Sequence, residues 1–236
     1  MSRQSFAVLI TRPEPQASRF AAELSERFGP GLRLVISPLM RAVLLPCTPP
    51  EGPFAAVVLT SETGAKAAAG LAARIPRAFC VGERTAEAAR AQGFHAMAAG
   101  GDAAALARLI LSQPDTGPLL YLHGADRAAD LAALLPGRRV VSQVVYRQEA
   151  QSLSDAALNL LHAADLVIVP LFSPRSARLF AAELPADAPP PVLVAISENA
   201  RGVLPERLAA RCVVADHPGA AAMLQAIDRT IAALPT

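Results

Sequence analysis

The stretch from Ala7 to Ile36 reads AVLITRPEPQASRFAAELSERFGPGLRLVI and predicts a strand, a helix and a second strand. The first strand is expected at Ala7–Ile10, and a polar turn follows it. A helix is expected from about Gln16 to Phe28, because its apolar residues keep the three-four spacing of one buried face. Gly29 is a suitable helix stop. The second strand is expected at Leu32–Ile36. Units of this kind build parallel sheets covered by helices.

The same alternation of short apolar runs and Ala-rich amphipathic runs continues along the chain. A helix after Arg84 is expected to end at Gly93. The pattern predicts the α/β fold class, with buried parallel strands and helices between them. The further strands are predicted at Ala56–Leu59, Phe79–Val81, Leu119–Leu122, Val140–Val145, Leu166–Val169, Val192–Ile196 and Cys212–Val214.

Three kinds of local pattern each occur twice. Repeat A is a strand, a polar turn, a helix and a strand. Repeat B is a strand that runs into a hydroxyl-bearing turn and a helix, and repeat C is a strand that ends in a small residue, then Glu and a helix. They lie at Leu9–Ile36 and Leu120–Val145 (A), at Val58–Glu62 and Val169–Pro174 (B), and at Val81–Ala86 and Ile196–Ala200 (C).

The order of these repeats, A, then B-C-A, then B-C, predicts a nested arrangement of two domains. The middle set can form a complete α/β domain over residues 40–145. The first A can complete the same architecture only with the last B-C, so residues 1–37 and 148–236 should form the other domain. The chain would cross between the domains near Pro38–Leu44 and near Val144–Gln148. The expected fold is therefore two Rossmann- or flavodoxin-like domains with parallel sheets, one inserted in the other.

Composition excludes several classes of protein. The 236 residues are 53% hydrophobic and carry a net charge of +2, which excludes intrinsic disorder. No apolar run approaches the roughly 20 residues of a membrane span, and Arg12 to Pro15 interrupt the start before a signal peptide develops. Basic residues are scattered, unlike those of nucleic-acid proteins. We therefore expect a cytoplasmic monomer without membrane or nucleic-acid partners.

Metal and cofactor signatures are missing from the sequence. Cys47, Cys80 and Cys212 form no close pair and lie far from the histidines, so neither a zinc site nor a disulfide framework is expected. No G-x-G-x-x-G follows a strand, and neither a Walker-type loop nor a G-x-S-x-G turn occurs. Nicotinamide, nucleoside triphosphate and serine hydrolase chemistry lack support. We expect a protein that needs no cofactor.

Ligands of parallel sheets bind at the carboxyl ends of the strands, where turns lead into helices. Helix starts with free N–H groups attract anionic oxygens. Helix capping alone explains any single Ser or Thr at such a turn. His123 either donates a hydrogen bond to an anion or packs at a helix start. Taken together, the polar residues at these turns predict a multi-anionic ligand between the domains. The candidate residues are Thr11, Arg12, Thr60, Ser61, Gly82, Arg84, Thr85, His123, Gly124, Ser173 and Ser197.

Tyr146 is one of two tyrosines in the chain. It follows the predicted strand Val140–Val145, where the chain should cross between domains. It is either an ordinary strand-end Tyr with its hydroxyl in water or a residue of the site. The other tyrosine, Tyr121, lies inside an apolar strand and is expected to pack.

The turns that follow the predicted strands, taken in their order along the chain, resemble those of the uroporphyrinogen-III synthase family. The resemblance extends over essentially the whole chain. No single motif is specific to that family, and the ordered set carries the resemblance. The matching segments are Ile10–Pro13, Leu59–Ser61, Cys80–Ala86, Leu120–Gly124, Val144–Arg147 and Phe172–Pro174.

The resemblance implies two α/β domains joined by a two-stranded linker, and a reaction without cofactor. Hydroxymethylbilane would lose water, its terminal ring would be inverted through a spiro intermediate, and the macrocycle would close as uroporphyrinogen III. Turn N–H groups and hydroxyls would hold the substrate carboxylates. Tyr146 matches the family's Tyr proposed to help the substrate hydroxyl leave.

The sequence departs from the family pattern at the second repeat C. The turn Ser197–Ala200 lacks the Gly and the two Thr that are usual there, so its anion contacts are in doubt, and Pro205 shortens the helix that follows. The alternative is a non-enzymatic two-domain binding module for a small multi-anionic ligand, which the same turns would serve.

Overall fold

The computed structural model describes residues 6–46, 48, 50–126, 130–164 and 166–233. Cys47, one of the three cysteines named above, lies outside these residues. The strands are β1 Ala7–Ile10, β2 Arg33–Ile36, β3 Met40–Leu44, β4 Ala56–Leu59, β5 Arg77–Cys80, β6 His95–Ala98, β7 Leu119–Gly124, β8 Val140–Ala150, β9 Val167–Leu171, β10 Val192–Ala195 and β11 Cys212–Val214. The helices are α1 Gln16–Phe28, α2 Glu62–Ala67, α3 Glu83–Arg90, α4 Ala103–Leu111, α5 Asp155–Ala163, α6 Pro174–Glu183, α7 Glu198–Arg201, α8 Glu206–Ala209 and α9 Ala220–Ala232.

These strands form two sheets. The five-stranded sheet has the order β11-β10-β9-β1-β2, and its pairs are parallel. The six-stranded sheet has the order β3-β8-β7-β4-β5-β6, with parallel pairs from β8 to β6. Strand β1 pairs with β9, more than 150 residues along the chain, and not with β4. The predicted fold class, with one parallel-sheet domain inserted in the other, is confirmed.

The chain divides into two compact units. Unit 1 consists of Met1–Arg41 with Glu149–Thr236, and unit 2 is Ala42–Gln148. The limits predicted from the repeats, 1–37 with 148–236 and 40–145, lie a few residues away. Both crossings fall inside strands, because β3 and β8 run through them. Within the described residues, no helix combines the length and the apolar character needed to cross a membrane.

Strands β3 and β8 form the two-stranded linker. The Leu45 N–H donates to the Val145 carbonyl, and the Gln151 N–H donates to the Leu39 carbonyl. Residue numbers rise along one strand as they fall along the other, so the pair is antiparallel. Strand β8 extends to Ala150, beyond the predicted end at Val145, because β3 supplies a pairing partner.

Helices cover both faces of each sheet. In unit 1, α1 and α9 bury Phe20 and Ile227 on one face, and α5 and α6 bury Leu160 and Phe180 on the other. In unit 2, α2 and α3 pack on one face, and α4 buries Leu106 on the other. Burying one large apolar side chain stabilises the fold by about 1.5–3 kcal/mol. A strand that is covered on both faces buries every side chain, so its sequence is a continuous apolar run.

Strand β9 continues through Pro170 to Leu171, beyond the predicted end at Val169. The Ala7 N–H donates to the Leu166 carbonyl, and the Ile196 N–H of the other neighbour donates to the Leu171 carbonyl. Backbone groups alternate between the two edges of a strand, so the missing N–H of Pro170 faces β1. The pairs between β1 and β9 end before it, at Val8 and Ile168. Proline is accepted where no ladder bond is needed.

The strand order of each sheet reverses once. In unit 1 the reversal lies between β1 and β9, and in unit 2 it lies between β4 and β7. The connections that leave the two strands go to opposite faces of the sheet, which opens a crevice at their carboxyl ends. We call each of these places the switch point of its unit. The candidate residues follow these strands or their neighbours.

Candidate functional site

The switch point of unit 2 is formed by the ends of β4 and β7, with the neighbouring strand β8 beside them. Thr60 and Ser61 follow β4, and His123 and Gly124 end β7. Ser61 begins α2, where its Oγ accepts a hydrogen bond from the Gly64 N–H at 3.0 Å. Ser61 therefore serves as a helix cap, the ordinary role for this residue type.

Tyr146 reaches this switch point from β8. Its hydroxyl donates a hydrogen bond to Ser61 Oγ at 3.0 Å. Its ring lies over Gly124, where an added Cβ would come within 2.6 Å of the Tyr146 Cζ atom. The structure thus brings together three candidates that are far apart in the sequence: Ser61, Gly124 and Tyr146.

A register shift in the β7–β8 pairing directs Tyr146 to this place. His123 pairs with Val144, whereas the next residue, Gly124, pairs with Tyr146, so Val145 is an extra residue. This is the two-against-one count of a β-bulge, which re-aims side chains. Val145 and Tyr146 consequently both contact the apolar cluster on the α2–α3 face, although consecutive residues of a regular strand point to opposite faces.

A second polar group lies on the α4 face of the same strands. The hydroxyls of Thr60 and Tyr121 are 3.3 Å apart, and the Tyr121 ring packs 4.7 Å from the His123 ring. Nδ1 of His123 is 2.7 Å from the Gly124 carbonyl. A carbonyl only accepts, so Nδ1 carries the hydrogen, and in the neutral ring Nε2 is an acceptor. His123 and Tyr121 are 5% and 4% exposed, so packing explains much of their position.

One strand further from the reversal, Gly82 lies between β5 and α3, and Arg84 and Thr85 lie in the first turn of α3. Gly82 begins α3 without a side-chain cap, and Arg84 is exposed. Thr85 is only 5% exposed, so most of its side chain is buried in unit 2. The helix ends at Arg90, and a turn then leads to Gly93, the predicted stop.

Cys80, which ends β5 beside this turn, is not a reactive thiol. Burial raises the pKa of Cys80 from its ordinary 9.0 to about 12. The thiol is therefore neutral at physiological pH, and a neutral thiol is a poor nucleophile.

Unit 1 places Thr11 and Arg12 after β1 and Ser173 after β9, at its own switch point. Thr11 is 1% exposed, and its Oγ1 has no hydrogen-bond partner among the described residues. The Arg12 guanidinium lies over the Phe172 ring. Phe172 was not among the predicted site residues, because nothing in its spacing indicates a contact with a residue 160 positions earlier.

Ser173 and Ser197 both cap helices. Ser173 Oγ accepts from the Ser176 N–H at 3.0 Å, and Ser176 Oγ accepts from the Ser173 N–H at 3.1 Å. Ser197 Oγ accepts from the Ala200 N–H at 3.4 Å, but α7 has only four residues. The capping alternative thus describes Ser61, Ser173 and Ser197 alike. A capping hydroxyl has its own hydrogen to donate, and that of Ser173 goes to Ser176 Oγ at 3.1 Å.

Within the described part of the chain, no three His, Cys, Asp or Glu side chains are grouped as metal ligands would be. The turns instead offer hydroxyls, backbone N–H groups and arginines. Such groups suit a ligand with several carboxylates.

Comparisons with known proteins agree with this architecture. A family model described as uroporphyrinogen-III synthase HemD matches residues 22–225. The crystal structure of a uroporphyrinogen-III synthetase from Helicobacter pylori superposes with a TM-score of 0.64 at 17% identity, covering 95% of this chain and 99% of that one. A mutant uroporphyrinogen III synthase from Thermus thermophilus gives a TM-score of 0.47 at 14% identity, with 96% and 99% coverage. The curated proteins contain no significant match to the chain.

The solved structure from Helicobacter pylori shows the same fold, and the family model extends over most of the chain. The resemblance is confirmed: the chain belongs to the uroporphyrinogen-III synthase family, enzymes that close hydroxymethylbilane in tetrapyrrole biosynthesis.

Proposed function

We propose that this chain closes hydroxymethylbilane to uroporphyrinogen III, and that Tyr146 assists the loss of the substrate hydroxyl. The observation that carries the proposal is the Tyr146 hydroxyl, 3.0 Å from Ser61 Oγ at the carboxyl ends of the strands. The β-bulge and the lack of a side chain at Gly124 support it, because both serve to seat the phenol at this place.

The first chemical step breaks the bond between carbon and the substrate hydroxyl. The electron pair of the pyrrole nitrogen stabilises the cation that remains, so the step needs chiefly a donor that lets the hydroxyl leave as water. The Tyr146 O–H is such a donor, and general acid assistance of this kind is typically worth about 10²–10⁴-fold.

Ser61 can support the phenol while its hydrogen is given away. Ser61 Oγ accepts hydrogen bonds from the Gly64 N–H and from Tyr146, so both of its lone pairs are occupied. Its own O–H can turn to donate to the Tyr146 oxygen as negative charge develops there. The substituted α-carbon of the terminal pyrrole attacks the cation and forms the spiro intermediate. The bond from that carbon to its original methylene bridge then breaks, and the free α-carbon of the same ring attacks the methylene cation so formed, which inverts the ring and closes the macrocycle. That α-carbon loses one proton, and the phenolate can recover it. Bonds and protons then balance, with water as the second product.

The acetate and propionate arms need anion receptors at defined positions. Helices α2 and α7 have six and four residues, which leaves little dipole. Helices α3 and α6 have eight and ten. We propose that the start of α3 holds a carboxylate through its backbone N–H groups. At α6, Pro174 has no N–H, and the N–H groups of Ser173 and Ser176 are used in the capping box, so that helix contributes its dipole. The other proposed contacts are Thr11, Arg12, Thr60, Ser61, Gly82, Arg84, Thr85, His123, Gly124, Ser173 and Ser197.

An isomer assay tests the proposal. Freshly generated hydroxymethylbilane closes without an enzyme, mainly to the isomer in which the terminal ring is not inverted. We expect the purified chain to direct closure to uroporphyrinogen III. A product ratio equal to that of the uncatalysed reaction would contradict this function and favour the alternative, a binding module for a multi-anionic ligand.

We further propose that the chain acts as a cytoplasmic monomer without a nucleic-acid partner. The net charge of +2 and the scattered arginines support this. We also propose the domain limits 1–37 with 148–236 and 40–145. Light scattering measures the mass in solution.

A further inference from the structure

In unit 1, an aromatic ring holds the side chain of Arg12. The central carbon of the Arg12 guanidinium lies 3.7 Å from the centroid of the Phe172 ring. Phe172 in turn meets the Phe20 ring edge to face, with 4.9 Å between centroids. Phe20 belongs to α1 and is only 1% exposed. The charge of Arg12 is thus placed against a ring that is anchored in the core of unit 1.

The stack lies at the switch point of unit 1. Arg12 is two residues after β1, and Phe172 directly follows β9, the strand on the other side of the reversal. The next residue, Ser173, caps the ten-residue helix α6. Phe172 therefore contacts the Arg12 guanidinium and directly precedes the N-terminal, positive end of α6. Both the guanidinium and the helix end favour a negative ligand.

Stacking suits an arginine that binds a carboxylate. The aromatic ring engages the flat face of the guanidinium, while the N–H groups point outward in its plane, where they match a carboxylate. An arginine already held in one orientation loses less rotamer freedom when the anion arrives, so it binds more tightly.

We propose that Phe172 is a positioning residue, which holds Arg12 to bind a carboxylate arm of the substrate in unit 1. This inference rests on the proposed function and adds a residue outside the predicted site. Phe172 acts through Arg12 and does not touch the reacting atoms. Its loss should weaken substrate binding and leave the chemical step unchanged.

Steady-state kinetics of the full-length chain with hydroxymethylbilane tests the proposal. We expect Phe172→Leu to raise KM by about threefold to tenfold with kcat nearly unchanged, the pattern of lost ground-state binding. Phe172→Tyr keeps the ring and should keep the KM of the wild type. Phe28→Leu is the matched control, because Phe28 meets Phe6 edge to face in the same unit, with 5.8 Å between centroids, and no arginine of the described residues stacks on either ring. It should lower stability without raising KM.

A double-mutant cycle separates positioning from general damage. If Phe172 acts through Arg12, Phe172→Leu should have little further effect on KM in a chain that already carries Arg12→Gln. A multiplicative effect of the two changes, or an unchanged KM in Phe172→Leu, would overturn the proposal. Thermal unfolding of every variant shows whether the fold is kept.

A binding measurement keeps this inference apart from the proposed function. Uroporphyrin carries the same acetate and propionate arms, and its own fluorescence reports binding without turnover. Suppose that the wild-type chain does not turn over hydroxymethylbilane, and that Phe172→Leu binds uroporphyrin threefold to tenfold more weakly than the wild type. That result would refute the cyclisation and support the role of Phe172. A wild-type chain that is active, with the same uroporphyrin affinity as Phe172→Leu, would support the cyclisation and refute the role of Phe172.

Discussion

The Tyr146 ring lies directly over Gly124, so closely that an added Cβ at residue 124 would be 2.6 Å from Tyr146 Cζ and 2.9 Å from its hydroxyl oxygen. Real Cβ atoms do not approach other heavy atoms that closely, and Gly124 is buried at the end of β7. The glycine is thus required by the close approach of the phenol. Its role in the site is to leave room for Tyr146.

Gly124→Ala should therefore displace the Tyr146 ring. We expect a loss of about 1–3 kcal/mol in the free energy of unfolding, typical of overpacking, together with a large loss of turnover. Urea denaturation measures the first effect and the isomer assay the second. Tyr146→Ala removes the ring that the new methyl group would strike, so in that background Gly124→Ala should cost much less stability. Equal costs in both backgrounds would show that the contact is not the cause.

Tyr146→Phe should reduce turnover by about tenfold to a hundredfold, the low end of general acid effects, because this substrate ionises easily. Thermal stability should change little, because the ring still packs against Gly124. Tyr121→Phe is the matched control: it also removes a tyrosine hydroxyl, one that lies 3.3 Å from Thr60 Oγ1 on the other face of the sheet. That variant should keep near-normal turnover. A full rate in Tyr146→Phe, measured where chemistry is limiting, would make Tyr146 a linker residue.

The sequence was sufficient for most of the fold because the central strands are buried on both faces. Ala7–Ile10 and Ala56–Leu59 are such strands, as predicted, and the edge strand Cys212–Val214 and the helix Gln16–Phe28 also match. Strand β6, His95–Ala98, was missed. It lies at a sheet edge with His95 and Met97 exposed, so it lacks the continuous apolar run that identifies a buried strand.

The site was predictable only in part. Hydroxyls at strand ends can be found from the sequence, since the carboxyl ends of parallel strands form one edge. The contacts of Tyr146 cannot be found in this way, because they depend on Val145 being an extra residue in the pairing of two strands. The stack of Arg12 on Phe172 likewise joins distant segments through tertiary structure alone.

Chelation should leave the activity unchanged. The proposed steps use a phenol, a hydroxyl and backbone donors, and none of them assigns a role to a metal ion. The measurement is the rate of uroporphyrinogen III formation after exhaustive dialysis against EDTA, compared with the same sample after divalent ions are restored. Activity that disappears on dialysis and returns only with a metal would contradict the expectation that no cofactor is needed.

Cys80 should resist alkylation in the folded protein, because burial raises its pKa to about 12. The same shift predicts a pH dependence of stability. In the unfolded chain the thiol ionises near its ordinary pKa of 9.0, whereas the folded chain keeps it neutral. The stabilising contribution is complete below about pH 9 and is lost as the pH rises toward 12. Cys80→Ala should show a smaller fall over that range in urea denaturation. Rapid labelling of Cys80 by iodoacetamide at pH 8, detected by mass spectrometry, would contradict its burial.

Ser61→Ala separates the two roles of Ser61, as cap of α2 and as partner of Tyr146. Loss of the cap alone should cost about 1 kcal/mol of stability. Loss of the partner should also slow turnover, since no hydroxyl would then donate to the Tyr146 oxygen as charge develops on it. The effect should be smaller than that of Tyr146→Phe, because the phenol itself remains.

Ser154→Ala is the control for the cap, since Ser154 Oγ accepts from the Ala157 N–H at the start of α5 in unit 1. It should cost similar stability and no turnover. The decisive comparison is made in the Tyr146→Phe background, where Ser61→Ala should have almost no further effect on rate, because the hydroxyl that it serves is already gone. A further loss as large as in the wild type would show that Ser61 acts on the substrate directly and independently of Tyr146.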